Sequence, residues 1–112
     1  MITGRHRFHG YGSLKGVYQR GNTVRGGLLN IRYVLRDPKR PYRVAVVVSR
    51  KVNKSAVTRN RIRRRLYEIV RNNDSIIAPG TDIVFTVFDD QLADIEYTEL
   101  SSKVYEMLKK IA

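Results

Sequence analysis

Residues 43 to 72, RVAVVVSRKVNKSAVTRNRIRRRLYEIVRN, contain two patterns that are typical of different secondary structures. The first residues, Arg43 to Ser49, form a valine-rich run that suits a strand buried on both faces. From residue 56 onward, apolar residues recur every three or four positions, which predicts an amphipathic helix from about Ala56 to Asn72. Ser55 is a good N-cap for that helix. The segment is therefore predicted to be a strand followed by a helix.

One side of this predicted helix is strongly basic. Its apolar stripe consists of Ile62, Leu66, Ile69 and Val70. At about 100° per residue, the opposite side receives Asn60, Arg63, Arg64, Tyr67 and Arg71, flanked by Arg61 and Glu68. Five arginines between positions 59 and 65 repel one another unless phosphates or acids neutralise them, and Glu68 is the only acid in the helix. A solvated basic face is the simplest alternative, but the planar fork of arginine favours phosphate contact.

Two further strands are predicted on either side of this segment. Residues 28 to 36 alternate apolar and polar side chains, as in a half-exposed strand, and Asp37-Pro38 opens a turn after it. This strand is expected to pair antiparallel with the valine-rich strand. Ala78-Pro79-Gly80 ends the helical region before a last strand, Asp82 to Phe88, and Tyr33 and Phe85 have the spacing of core residues.

Helices are predicted near both ends of the sequence. Leu14, Val17 and Tyr18 share one helical face in a short helix that ends near Gly21, and residues 96 to 111 repeat apolar residues at helical spacing. The predicted order is helix, two strands, helix, strand, helix. This order indicates an α+β fold: a single α/β sandwich domain over residues 1 to 112, with residues 1 to 12 as a flexible basic arm.

The charge distribution points to a polyanionic partner. The net charge is +12 over 112 residues, and residues 1 to 72 carry 19 Lys and Arg against 2 acids, whereas the remainder carries 3 against 8. A surface that is basic only for solubility would not be polarised in this way. Nucleic acid is therefore the predicted partner, with an anionic membrane surface as the competing interpretation.

Composition also narrows the possible chemistry. The chain has no cysteine, which excludes disulfides, thiolate metal sites and a cysteine nucleophile. The longest apolar run, Val44 to Val48, is far too short to cross a bilayer, and basic residues interrupt the first positions where a signal segment would be apolar. A cytoplasmic location without membrane attachment is the resulting expectation.

The basic helix makes a family resemblance recognisable. Arg59-Asn60-Arg61, preceded by Ser49-Arg50-Lys51-Val52 and followed by Arg63-Arg64 and Glu68, resembles the signature helix of the bacterial ribonuclease P protein family. The resemblance covers nearly the whole chain. Residues 14 to 21 resemble the first helix of the family, residues 43 to 49 its central strand, and residues 79 to 84 the start of its last strand.

The resemblance implies a division of labour between protein and RNA. A catalytic RNA subunit would bind metal ions, with magnesium required, and hydrolyse precursor tRNA at the 5′ end of the mature sequence. The protein would bind that RNA and the single-stranded 5′ leader, with no catalytic side chain, metal, cofactor or small-molecule substrate of its own. The resemblance also implies an unusual left-handed connection from the valine-rich strand through the basic helix to the last strand, against the general rule.

The resemblance also implies two groups of site residues. Those expected to contact the catalytic RNA are Arg50, Lys51, Lys54, Arg59, Asn60, Arg61, Arg63, Arg64 and Arg71. Those expected to line a leader cleft between the first helix and the sheet are Leu14, Tyr18, Arg32 and Ser49. Three positions depart from the family pattern: Leu14 replaces a common aromatic residue, Tyr67 a common arginine, and Phe88 a common basic residue.

Alternative functions are weaker but remain open at this point. A metal site could be suggested by His6 and His9 or by the pair Asp89-Asp90. The histidines lie in the predicted arm without a nearby carboxylate, which argues against a metal-ligand role. Asp89 and Asp90 are adjacent at the end of a strand, where neighbouring side chains point to opposite faces, so they are not expected to share a metal ion. A ribosomal or other structured-RNA-binding protein would have the same composition and basic helix. A self-contained nuclease would need a carboxylate cluster or a held histidine pair, and the basic part of the sequence contains neither.

Overall fold

The computed structural model describes residues 11 to 111, and side chains from residue 16 onward. Residues 1 to 10 of the predicted arm, which include His6 and His9, and the side chain of Leu14 lie outside the described residues, whereas residues 11 and 12 of that arm belong to the first helix. The helices and strands are α1 (Tyr11–Arg20), β1 (Asn22–Arg25), β2 (Leu29–Leu35), β3 (Arg43–Val47), α2 (Ala56–Asn72), β4 (Thr81–Val87) and α3 (Tyr97–Lys109). Short 3-10 turns occur at Asp74–Ile76 and Asp90–Ala93. The predicted α+β class is confirmed, with one strand, β1, added to the predicted order.

The four strands form one mixed sheet in the order β1-β2-β4-β3. β2 pairs antiparallel with β1 and β4, whereas β3 pairs parallel with β4. The expected antiparallel pairing of β2 with β3 is therefore wrong, because β4 lies between them. The backbone N–H of Arg36 donates to the carbonyl of Gly80 at 2.9 Å, so the β2–β3 loop passes the start of β4.

The parallel pairing makes β3, α2 and β4 a strand–helix–strand unit. The left-handed sense of the connection in this unit stays a prediction from the family resemblance. β3 is an edge strand on which Val44 and Val46 are buried and the alternating residues are only half-buried, so the expectation that β3 is buried on both faces is wrong. The strand that is buried on both faces is β4, which lies between β2 and β3 and is buried along almost its whole length.

The two faces of the sheet are covered by different helices. On one face, Ile31, Phe85 and Val44 belong to a core cluster with the apolar sides of α2 and α3. On the other face, Val17 of α1 and Val84 of β4 are buried outside that cluster. We call the second surface the α1 face. No helix in the described part of the chain is long and apolar enough to span a membrane.

Local signals explain the boundaries of α2. The hydroxyl oxygen of Ser55 accepts a hydrogen bond from the backbone N–H of Thr58 at 3.3 Å, as predicted for the N-cap. The helix then continues for 17 residues to Asn72, because its apolar stripe packs against the sheet throughout. These boundaries hold the basic residues of α2 in fixed directions relative to the sheet.

Candidate nucleic-acid interface

The exposed side of α2 is a basic surface. It contains Asn60, Arg61, Arg64 and Arg71, all exposed, and we call these four residues the basic face. Arg71 forms an ion pair with Glu68, with its Nη2 2.5 Å from Oε1. This hydrogen bond lowers the pKa of Glu68 and raises the pKa of Arg71, so both stay charged at neutral pH.

Other arginines of α2 are directed to backbone carbonyls instead. Nη1 of Arg65 donates to the carbonyl of Leu92 at 2.6 Å, and its Nη2 donates to the carbonyl of Ile95. Arg63 is half-buried and donates to Oδ1 of Asn60 at 2.7 Å. Periodicity alone placed Arg63 on the exposed side, and only its packed surroundings distinguish it from Arg64.

Tyr67 was also predicted on the exposed side of α2, and this prediction is wrong. Its side chain is 6% exposed and belongs to the core cluster. The buried arc of α2 is wider than its aliphatic stripe, because the helix packs against β3, α3 and the 3-10 turn Asp90–Ala93. The aromatic residue at this position therefore contributes to packing.

A second basic feature lies where β3 leads into α2. A cavity of about 580 Å³, which we call the loop cavity, is lined by Arg50, Lys51, Lys54, Ala56 and Arg59. Four of these five residues are cationic, and the cavity lies at the amino end of α2, where the helix dipole favours anions. All four cations had been assigned to RNA contact from the sequence, and the structure brings them together.

Hydrogen bonds within the loop give this cavity a defined shape. Nη1 of Arg59 donates to the carbonyls of Asn53 at 3.0 Å and Lys54 at 2.9 Å. The amide oxygen of Asn53 accepts from the backbone N–H of Ser55 at 2.8 Å, and its amide nitrogen donates to Asp90 at 3.0 Å. Since a guanidinium carries five N–H donors, Arg59 keeps three for a ligand after these two bonds.

The leader cleft was predicted between α1 and the sheet, on the surface that we call the α1 face. Tyr18 is 42% exposed, so its ring is available to a ligand and does not belong to the core. Arg32 donates to the carbonyls of Val17 at 3.3 Å and Tyr18 at 2.6 Å, and to the hydroxyl of Thr23 at 2.9 Å. Arg32 thus holds the end of α1 against the sheet. Ser49 is exposed just beyond the end of β3.

Sequence reasoning missed the role of Asp82. This carboxylate is buried, and it accepts hydrogen bonds from Arg43 at 2.9 and 2.7 Å and from Arg36 at 3.2 Å. The hydrogen bond to Asp82 raises the pKa of Arg43. An acidic residue within an otherwise apolar strand is a sequence signal for a buried ion pair with a basic residue. Arg36 and Arg43 are therefore partly neutralised within the protein.

The alternative metal sites receive no support from the described residues. Asp89 accepts from the backbone N–H of Gln91 at 2.9 Å, and Asp90 accepts from Asn53. Between residues 11 and 111, no group of three or more His, Cys, Asp or Glu side chains is placed to hold a metal ion. The acidic pair contributes to the turn after β4.

The fold and these surfaces define a basic α+β protein with exposed cationic surfaces, a class that includes RNA-binding proteins. The Ribonuclease P family model matches residues 3–112. The ribonuclease P protein component of Pseudanabaena sp. is 35% identical over 98% of this chain and 94% of its own length. That of Alkaliphilus oremlandii is 36% identical over 85% of this chain and 81% of its own length.

Solved structures agree at the level of the fold. The RNase P protein of Staphylococcus aureus has a TM-score of 0.80 at 20% identity, covering 95% of this chain and 94% of that one. The RNase P protein of Thermotoga maritima has a TM-score of 0.77 at 23% identity, covering 88% and 91%. The chain belongs to the ribonuclease P protein family, as the resemblance predicted. It therefore functions with an RNA subunit in processing the 5′ leader of tRNA, and a ribosomal protein is no longer an alternative.

Proposed function

We propose that the basic face and the loop cavity bind the RNA subunit of ribonuclease P. The observation that supports this most strongly is the division of the arginines of α2. Arg65 is bonded to carbonyls of its own chain, whereas Arg61 and Arg64 are exposed. Among the described residues, the one ion-pair contact found for Arg61 is a 4.0 Å contact with exposed Asp94. Neighbouring exposed cations are electrostatically unfavourable without a partner, and RNA phosphates remove that repulsion.

We further propose that the RNA subunit carries out the cleavage and that this chain contributes binding and charge neutralisation. Phosphodiester hydrolysis needs a metal site or a positioned general base. The described residues contain no group of three or more His, Cys, Asp or Glu side chains placed to hold a metal ion. We expect the holoenzyme to require magnesium, and we assign its binding to the RNA. Magnesium supplies Lewis-acid activation in such reactions.

We also infer that precursor tRNA is bound through its leader on the α1 face. The exposed ring of Tyr18 offers a surface for base stacking, which suits single-stranded RNA. Arg32 keeps two of its five donors after the three bonds that hold α1, and these could bind a phosphate. We assign Ser49 and Leu14 to the cleft on the family resemblance alone.

We also propose a cytoplasmic location, since bacterial precursor tRNA is made in the cytoplasm.

The test of the RNA-subunit interface is the salt dependence of binding. If about six phosphates are contacted, affinity for the RNA subunit falls on the order of a thousandfold between low and moderate salt. Replacing Arg61 and Arg64 together with alanine should reduce the slope of log K against log salt by about 1.4 to 1.8, for two lost phosphate contacts. An unchanged slope in this variant would contradict the proposal.

A matched control removes the same number of charges elsewhere. Lys109 and Lys110 lie at the end of α3, and Lys109 is already 3.6 Å from Glu106. Replacing both with alanine should leave the salt slope nearly unchanged, because the predicted interface does not include them. A slope reduced equally in both double variants would indicate a non-specific effect of net charge.

The division of labour has its own measurement. The protein freed of RNA should show no cleavage of precursor tRNA, whereas the RNA subunit alone should retain some cleavage at raised magnesium. Cleavage that co-purifies with the RNA-free protein, and that is lost when the protein is denatured, would overturn this part of the proposal.

A further inference from the structure

A pocket between α2 and the start of α3 adjoins the basic face. Its volume is about 410 Å³, and we call it the tyrosine pocket. It is lined by Arg61, Arg64, Arg65, Glu68 and Tyr97. This volume lies in the range of cavities that hold small organic groups in proteins. Arg61 and Arg64 belong both to this pocket and to the basic face, so the two surfaces are continuous.

Tyr97 provides an aromatic wall at the first residue of α3. Its side chain is 40% exposed, although the apolar residues farther along the same helix, such as Leu100 and Val104, are fully buried. The amide nitrogen of Asn72 donates to the Tyr97 hydroxyl at 3.4 Å, and the exposed fraction of the residue leaves part of its ring accessible. An exposed aromatic ring beside arginines is the combination that binds unpaired nucleotides.

The charges around the pocket favour an anionic ligand. Arg65 lines the pocket, and its guanidinium is held in place by hydrogen bonds to two carbonyls. Glu68, the one acid in the lining, is paired with Arg71. Arg61 is 4.0 Å from Asp94, and both side chains are largely exposed, so this contact competes weakly with a phosphate. Three cations against one paired carboxylate leave the pocket positive.

We propose that the tyrosine pocket binds one unpaired nucleotide of the RNA subunit, with its base stacked on Tyr97 and its flanking phosphates on Arg61 and Arg64. The RNA interface then extends beyond α2 onto α3. This inference rests on the proposed function, since it adds a stacking site to the surface that Arg61 and Arg64 provide. An RNA partner fits the charge of the lining better than a basic or neutral protein surface does.

The first experiment measures the affinity of Tyr97 variants for the RNA subunit. Tyr97→Ala should weaken binding by roughly fivefold to more than a hundredfold, the range for losing one stacked base. Tyr97→Phe keeps the ring and should bind like the unmodified protein. Tyr97→Leu keeps apolar bulk without a ring and should bind like the alanine variant, which makes the result independent of packing at this position.

Tyr105 is a matched control on the same helix. It is 38% exposed, close to the value for Tyr97, and it does not line the tyrosine pocket. Tyr105→Ala should leave affinity for the RNA subunit unchanged. The salt slope should also stay unchanged in Tyr97→Ala, because a neutral ring neutralises no phosphate. Equal affinities for the Tyr97 and Tyr105 alanine variants would overturn the inference.

A direct readout is available because the chain contains no tryptophan. Tyr97→Trp introduces a single indole into the pocket, and stacking of a base should quench its fluorescence when the RNA subunit is added. Tyr105→Trp should show little quenching. Quenching at position 97 that appears only when precursor tRNA joins the assembled holoenzyme would assign the site to the substrate and overturn the assignment to the RNA subunit.

The outcomes also separate this inference from the proposed function. If the Arg61 and Arg64 double variant loses salt dependence while Tyr97→Ala and Tyr97→Leu bind normally, only the tyrosine pocket is refuted. If the double variant keeps the full salt slope, the proposed function of the basic face fails as well.

Discussion

The adjacent residues Arg64 and Arg65 provide the sharpest test of how α2 divides its cations. Arg64 is exposed, whereas Arg65 is half-buried and donates to the carbonyls of Leu92 and Ile95. Replacing each with methionine keeps the apolar part of the side chain and a similar helix propensity while removing the guanidinium. We expect opposite effects: Arg64→Met weakens RNA binding, and Arg65→Met weakens the fold.

The magnitudes follow from these contacts. Arg65→Met leaves two half-buried carbonyls without their charged donor, which costs about 1 to 3 kcal/mol of unfolding free energy. For a domain of this size, that loss lowers Tm by roughly 4 to 12 °C. Arg64→Met removes an exposed cation and should change stability by about 0.5 kcal/mol or less. It should reduce the salt slope of RNA binding by about 0.7 to 0.9, for one phosphate contact.

Two measurements on the same protein preparations test this prediction. Thermal unfolding followed by circular dichroism reports Tm, and titration of the RNA subunit at several salt concentrations, well below Tm, reports the slope. This division of the cations is refuted if Arg65→Met flattens the salt slope while its Tm is unchanged. It is also refuted if Arg64→Met destabilises the protein as much as Arg65→Met does.

Two other substitutions test the cleft and the fold. Tyr18→Ala should weaken holoenzyme binding of precursor tRNA by roughly fivefold to more than a hundredfold and leave binding of mature tRNA nearly unchanged, since only the precursor carries a leader; equal losses for both would contradict a stacking role. Gly80→Ala should lower the unfolding free energy by more than about 1 to 2 kcal/mol, because φ is +81° and a Cβ would lie 1.9 Å from the carbonyl oxygen of Asp37. Gly27→Ala is the control, because Gly27 has φ +80° and nothing lies within 4 Å of an added Cβ, so only the conformational cost applies. Both unfolding free energies are measured by chemical denaturation. Equal losses in the two variants would show that the contact with Asp37 is unimportant.

Several elements were predictable because their signals are local. The predicted range of α2, Ala56 to Asn72, agrees with the structure because a capping serine and a periodic apolar stripe act within neighbouring turns. β1 was missed, because its four residues are mostly exposed and pair with β2 through backbone hydrogen bonds that no side-chain pattern records. The pairing of β2 with β3 was wrong for a similar reason: strand order depends on contacts between distant residues.

The candidate site shows the same distinction. Arg61, Arg64 and Arg71 were assigned to the exposed side from helical periodicity, and they are exposed. Periodicity could not indicate that Arg63 is half-buried or that Tyr67 belongs to the core. Those outcomes depend on β3 packing beside α2, which is a contact between elements.

The amino-acid sequence by itself determined that this is a basic α+β protein with an arginine-rich helix between two strands and a resemblance to the ribonuclease P protein family. Net charge, capping and hydrophobic spacing are properties of the chain or of its nearest neighbours. Only the tertiary structure decided which arginines of α2 remain for a ligand and that Tyr97 lies beside Arg61 and Arg64. The physical reason is that a guanidinium binds whichever acceptor lies within reach, and the carbonyls of Leu92 and Ile95 reach Arg65 only after the turn following β4 has packed against α2.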